Sequence, residues 1–127
     1  MQNILIIVHA PPYGSERCLS ALRLALALMG REGEKPQLDV FLMSDATVLG
    51  LPNQQDASGN TLQQMVEQLV AQQVPVKVCK TCAGNRGLLS LQLIGGVTVG
   101  TLAELADATM AADKVIKGAM AYKTLLI

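Results

Sequence analysis

Apolar residues recur along the chain in two rhythms, and each rhythm predicts an element. Residues 3–8, NILIIV, form an unbroken aliphatic run of the kind found in strands buried on both faces of a parallel sheet. Ser15 can cap a following helix with Glu16 in its first turn. Cys18, Leu22, Ala25 and Met29, widened by Leu19 and Leu26, make that helix's apolar stripe, which ends near Gly30. Residues 37–43, QLDVFLM, give a second strand with Ser44 and Asp45 at its carboxyl end, and residues 50–59 read as a polar loop. Thr61 and Gln64 form a capping-box pattern, and Leu62, Met65, Val66, Leu69 and Val70 follow at the spacing of an amphipathic helix. Val74, Val76 and Val78 alternate with Pro75 and Lys77 in a third strand. Residues 88–94 are apolar but carry no period that assigns them, and 97–99 suit a short strand. Thr101 and Glu104 make a second capping box, Leu102, Leu105, Ala106, Thr109 and Met110 repeat the helical spacing, and 113–117 give a last strand. Residues 118–127 form an apolar extension expected to pack on a neighbouring subunit.

Alternating strand and helix patterns predict an α/β fold, a three-layer α/β/α sandwich on a mainly parallel five-stranded sheet, in one domain over 1–127. The carboxyl ends of the first three strands then fall on one edge. That edge is expected to gather His9, the 11–14 loop with Tyr13, Ser44, Asp45 and Cys79 around one crevice.

The chemistry concentrates in residues 74–87, VPVKVCKTCAGNRG. Cys79 and Cys82 form C-x-x-C where the third strand ends. Gly84, Asn85 and Gly87 favour turns, so Cys82 is expected in a glycine-bounded loop, because those glycines would break a helix almost at once. Lys77, Lys80 and Arg86 bracket the pair, and a nearby cation favours thiolate, the nucleophilic form. Such a pair can be half a zinc site, a dithiol redox centre, or a nucleophile with a resolving partner. Zinc takes four ligands, and only Cys18 and His9 remain as nitrogen or sulfur donors, on other elements, so no metal is expected. The glycines at 95, 96 and 100 form no G-x-G-x-x-G and no Walker pattern is present, so no nucleotide cofactor is expected.

Each candidate has a plainer alternative. Cys79 and Cys82 can be inert thiols packed as small hydrophobes, which is the better assignment for Cys18 on its apolar helix face. His9 can orient a substrate or accept a proton, or be hydrogen-bonded at a strand end. Asp45 can be a site residue or a turn cap. Tyr13 can wall a pocket or pack, and Lys80 and Arg86 can be solvated charges. Between the two thiols, Cys79 is expected to react first because the strand fixes it, with Cys82 resolving from a freer position.

Composition narrows the class. A formal net charge of +0 gives no broad attraction to nucleic acid or anionic membrane. With Tyr13, Phe41 and Tyr122 as its aromatics, the chain offers few platforms for base stacking. Only 16% of residues are charged, against about 25% in typical domains. That deficit points to apolar surface hidden in a homo-oligomer, the alternative being a lone domain with an Ala- and Leu-rich core. Three cysteines at these spacings are no secreted disulfide framework, and the amino terminus lacks the basic region of a signal peptide. The longest charge-free run, 87–103, falls short of the ~20 apolar residues of a membrane helix, so a reducing cytoplasm is expected.

Four stretches taken together carry a resemblance: A-P-P-Y-G-S-E at 10–16, F-L-M-S-D at 41–45, V-P-V-K-V-C-K-T-C at 74–82 followed by Arg86-Gly87, and G-T-L-A-E-L-A at 100–106 with A-D-K-V at 112–115. This ordered set resembles the DsrE/DsrF-like family, which includes sulfur-relay subunits of the TusD type. It is most similar to the YchN subgroup, whose members carry the same C-K-T-C. The resemblance spans nearly all of residues 3–117. It implies a DsrE/F-like sandwich, cytoplasmic location, a homohexamer built from trimers, and a cysteine that carries sulfane sulfur as a persulfide, which maps onto Cys79. The implied partners are sulfur donor and acceptor proteins or small thiols, with His9 or Asp45 positioning them. Cys82 departs from the TusD-type pattern, where its position is apolar, and that leaves room for disulfide chemistry. The expectation is a sulfur carrier or sulfurtransferase-like protein. Its rivals are a C-x-x-C thiol-disulfide redox protein and a non-catalytic oligomeric interaction module.

Overall fold

β1 (Asn3–Val8) lies inside the sheet because both its faces are apolar: Ile4, Ile6 and Val8 enter one core, Leu5 and Ile7 the other. The elements come from a computed structural model that describes residues 1–117. After β1 the chain forms α1 (Arg17–Met29), β2 (Gln37–Leu42), a 3-10 helix (Ser44–Gly50), α2 (Thr61–Ala71), β3 (Val76–Cys79), α3 (Lys80–Asn85), β4 (Thr98–Gly100), α4 (Leu102–Ala111) and β5 (Lys114–Lys117). The sheet order is β4-β3-β2-β1-β5, and every pairing is parallel.

This order dictates the layers. From β1 to β4 the chain steps one way across the sheet, so right-handed crossovers put α1 and α2 on one face. The return from β4 to β5 puts α4 on the other face. On the first face Cys18, Leu22 and Ala25 of α1 and Leu62, Val66 and Leu69 of α2 cover Ile6, Val40 and Val78. The second face is thinner: Leu5, Ile7 and Phe41 meet Leu105 of α4. At the sheet edge Gly100 pairs in register with Cys79, and a Cβ there would stand 2.6 Å from the Phe41 ring, so only glycine lets β4 approach.

Several local expectations change. A 3-10 helix follows β2 over residues the sequence leaves unassigned and takes Gly50 from the expected 50–59 loop, burying Ala46, Thr47, Leu49 and Gly50. Thr61 is not the cap of α2; Asn60 holds that position, and its side-chain oxygen accepts a 2.9 Å bond from Gln64 Nε2. Ser15 precedes the cap position of α1, which Glu16 takes. The Thr101 capping box forms as expected, with Glu104 N–H donating to Thr101 Oγ1 at 3.1 Å and Thr101 N–H to Glu104 Oε1 at 2.8 Å. Residues 88–94 form neither helix nor strand; Leu88 and Ile94 are buried, and the Ile94 amide donates to the Gly50 carbonyl. The extension at 118–127 lies outside the described residues.

Candidate functional site: a dithiol at the carboxyl edge of the sheet

Cys79 is the last residue of β3 and also caps α3, so one residue ends the strand ladder and starts the helix. Cys82 therefore stands in the first turn of α3 and not in a loop. Gly84 and Gly87 end this helix without preventing it. The Leu88 amide donates to the Ala83 carbonyl at 2.9 Å and the Gly87 amide to the Gly84 carbonyl at 3.2 Å, with Gly87 at φ +71. That is a Schellman cap, which favours glycine at its left-handed position, and the buried Leu88 and Ala83 join the core beneath it. Both ends of the short helix are thus tied down, one by a strand and one by a cap. The freedom expected for Cys82 is absent.

The two thiols differ in access. Cys79 is buried at 3% exposure, whereas Cys82 is partly open to solvent. They face each other. Burial pushes the Cys82 thiol up, and its interaction with Cys79 adds to this. Against them, the Ser44 backbone N–H directed at the sulfur and the Arg86 guanidinium favour the thiolate. Ser44 holds φ +52, a left-handed conformation that a serine adopts at some cost.

Arg86 is clamped. Its Nε and Nη2 both lie 3.0 Å from Asp45 Oδ1, and Nη1 donates to the Cys82 carbonyl at 3.0 Å. Asp45, Arg86, Cys82 and Cys79 are thereby gathered at the carboxyl ends of β2 and β3. The guanidinium acts on Cys82 rather than standing free beside Cys79. Lys80 opens α3 and is exposed. Lys77 faces the α4 layer, where its ammonium meets Glu104 at 3.1 Å; the Thr101 amide foremost, and then this ammonium, hold that carboxyl below its usual range.

His9 and Tyr13 belong to a different corner. His9 follows β1, two strand spacings or about 10 Å across the sheet from β3. Burial and the Lys117 charge push its imidazole down, which favours the neutral form. It lines a hollow of about 600 Å³ with the 10–15 loop and Arg17. Tyr13 borders this hollow and a second one of about 260 Å³ with Asp56, Ser58 and Thr61. Burial and Asp56 push the Tyr13 hydroxyl up. The cysteines line neither hollow.

The sequence pointed to both cysteines, Asp45 and Arg86. It gave no cue to the role of the Ser44 amide, because that role joins the backbone after β2 to a thiol after β3 through space.

A parallel α/β sheet with a C-x-x-C dithiol at its carboxyl edge defines a class of small thiol-bearing α/β proteins. The chain belongs to the DsrE/DsrF-like family, whose sequence profile matches residues 2–117. It is similar to Protein YchN of Escherichia coli (strain K12), with 52% identity over 116 residues, 91% of this chain and 98% of that protein. An uncharacterised protein of Methanopyrus kandleri is 34% identical over 113 residues, 89% of this chain and 91% of its own. Among solved structures, the crystal structure of the ychN protein from E. coli matches with a TM-score of 0.87 and 51% identity, covering 92% of this chain and 99% of that one. Among the described residues, no helix is long and apolar enough to cross a membrane.

Proposed function

We propose that the protein is a sulfur carrier whose Cys79–Cys82 pair accepts sulfane sulfur from a donor persulfide, holds it as a persulfide on Cys79, and yields it to an acceptor thiol. The observation that carries this is the arrangement of the pair: one thiol buried at a strand end, a second facing it and partly open, at the carboxyl edge where parallel sheets do their chemistry. A persulfide on a buried sulfur is shielded from stray reductants, while exchange between neighbouring sulfurs needs only thiolate attack. Membership of a family that includes sulfur-relay proteins supports the same assignment.

Intact-mass measurement on the reduced protein after incubation with glutathione persulfide tests it. The expected result is a gain of one sulfur atom, removed by dithiothreitol and absent from the Cys79→Ser/Cys82→Ser double variant. Loss of two hydrogens alone assigns a dithiol-disulfide redox protein. That second function gains support from Cys82, because a C-x-x-C opening a helix after a strand is where redox dithiols sit. No change in mass leaves an interaction module.

The carrier would work in a reducing cytoplasm as a homo-oligomer. Val99, Leu102, Met110 and Val115 are exposed on β4, α4 and β5, and a second copy covering them would supply the apolar contact that the low charge content calls for. Light scattering is expected to return a hexamer mass, and Leu102→Glu with Met110→Glu is expected to lower it. A monomer mass at micromolar concentration overturns the assembly.

A further inference from the structure

We infer that Cys82, not Cys79, is the thiol that receives sulfur from outside, and that the sulfur then passes inward from Cys82 to Cys79. This rests on the carrier function proposed above and assigns the order of events within the pair.

Three observations point the same way. The first is access: an incoming persulfide reaches the partly open Cys82 sulfur before the Cys79 sulfur, which is 3% exposed. The second is the cradle. Burial pushes the Cys82 thiol up, and the Ser44 amide and the Arg86 guanidinium, whose Nη1 donates to the Cys82 carbonyl, work against that rise at this turn. The guanidinium is fixed in advance by its bonds to Asp45 and to the Cys82 carbonyl. A sulfur that must attack and later leave benefits from such preset donors in both steps. The third is proximity. Cys79 caps α3 and Cys82 lies three residues on, so the two sulfurs face each other across one turn.

The steps balance. The Cys82 thiolate, its proton lost to solvent, attacks the terminal sulfur of a donor R–S–SH. The Cys82 S–S bond forms, the donor S–S bond breaks, and the donor leaves as a thiolate. The Cys79 sulfur then attacks the terminal sulfur of the Cys82 persulfide. Its proton passes to the departing Cys82 sulfur, giving Cys79–S–SH and a free Cys82 thiol. No external oxidant or reductant takes part. Release reverses the two steps, so Cys82 is also the port through which sulfur leaves.

The experiment is a quenched time course. Wild type, Cys79→Ser, Cys82→Ser and Cys82→Ala are each reduced and mixed with limiting glutathione persulfide. Samples are trapped with excess iodoacetamide, and the extra sulfur is located by fragmentation of the peptide that holds both positions. In wild type the sulfur is expected first on Cys82 and later on Cys79. Cys79→Ser is expected to take up sulfur and keep it on Cys82, while Cys82→Ser and Cys82→Ala, both retaining a native circular dichroism spectrum, load at least ~10-fold more slowly. If both Cys82 variants load Cys79 as fast as wild type, Cys79 takes sulfur directly and the inward relay is overturned, with the carrier function intact. If wild type gains no sulfur, the carrier function itself fails, and the relay with it. If sulfide is released as a Cys79–Cys82 disulfide forms, the pair reduces the persulfide instead of relaying it, and the inference falls.

Discussion

Cys18 and Cys82 each stand in the first turn of a helix that leaves the carboxyl edge of the sheet, Cys18 after β1 and Cys82 after β3, yet their surroundings are opposite. Cys18 is fully buried under α1, and its thiol donates to the Ala10 carbonyl at 3.1 Å. An acceptor beside a buried S–H locks in the neutral form, and burial pushes this thiol up to about 11. Cys82 is offered donors instead, the Ser44 amide and Arg86, together with a second thiol and a path to solvent. The same side chain in the first turn of two helices is therefore a packing residue in one case and a candidate nucleophile in the other. What separates them is how completely each is buried, with the acceptor at Cys18 and the donors at Cys82 acting in the same sense.

The largest effect expected from this contrast is in alkylation. At neutral pH limiting iodoacetamide should modify Cys82 more than about 100-fold faster than Cys18, because thiolate fraction and access act together. Comparable rates at the two positions, measured by peptide mapping of the folded protein, would remove the distinction. Cys79 is expected to fall between them, which departs from the order its fixed strand position alone suggests.

A second effect is in alkaline stability. Burial pushes the Cys18 thiol from its ordinary 9.0 in the unfolded chain up to about 11 in the folded one. Its contribution is therefore fully present below pH 9 and is lost as pH rises from 9 to 11. Over that interval wild type should lose up to about 2 kcal/mol more than Cys18→Ala, read from urea denaturation at each pH. Parallel pH curves for the two proteins would show that Cys18 is not held neutral.

A smaller effect concerns the clamp. Arg86→Lys keeps the charge but cannot bond Asp45 and the Cys82 carbonyl together, so alkylation of Cys82 should slow by about 3-fold. Asp45→Asn, which weakens the hold on the guanidinium, should change the rate less. An unchanged rate in Arg86→Lys would show that the fork geometry does nothing for the thiolate.

How much of this was legible in the sequence follows from the kind of signal each element leaves. The strands and the three longer helices show as period-two or continuous apolar runs and as i, i+3, i+4 stripes, so burial on one or both faces betrays them. The Thr101 box is legible because its two side chains are the cap. The Thr61 pattern misleads because Asn60, one residue earlier, occupies the cap position. The 3-10 helix after β2 spans seven residues, too few to display a period. α3 is hidden for a more instructive reason. Its glycines were legible as breakers, but whether Gly87 ends a helix or prevents one depends on a Schellman cap that only the folded chain forms. The expected crevice divides because the sheet order separates the β1 end from the β3 end by β2, and that order leaves no mark in a single sequence. The cysteine pair, Asp45 and Arg86 were legible as residues. Their partnership was not, since it joins positions 45 and 86 through space.

The central claim, that the pair carries sulfur rather than cycling as a dithiol, is tested most directly by the fate of one loaded sulfur. Protein bearing a single persulfide, freed of donor, is mixed with excess glutathione and followed by mass spectrometry. Carriage predicts that glutathione persulfide appears as the loaded mass disappears, with the protein returning to its reduced dithiol mass. Free sulfide together with a protein two hydrogens lighter than the dithiol would contradict it.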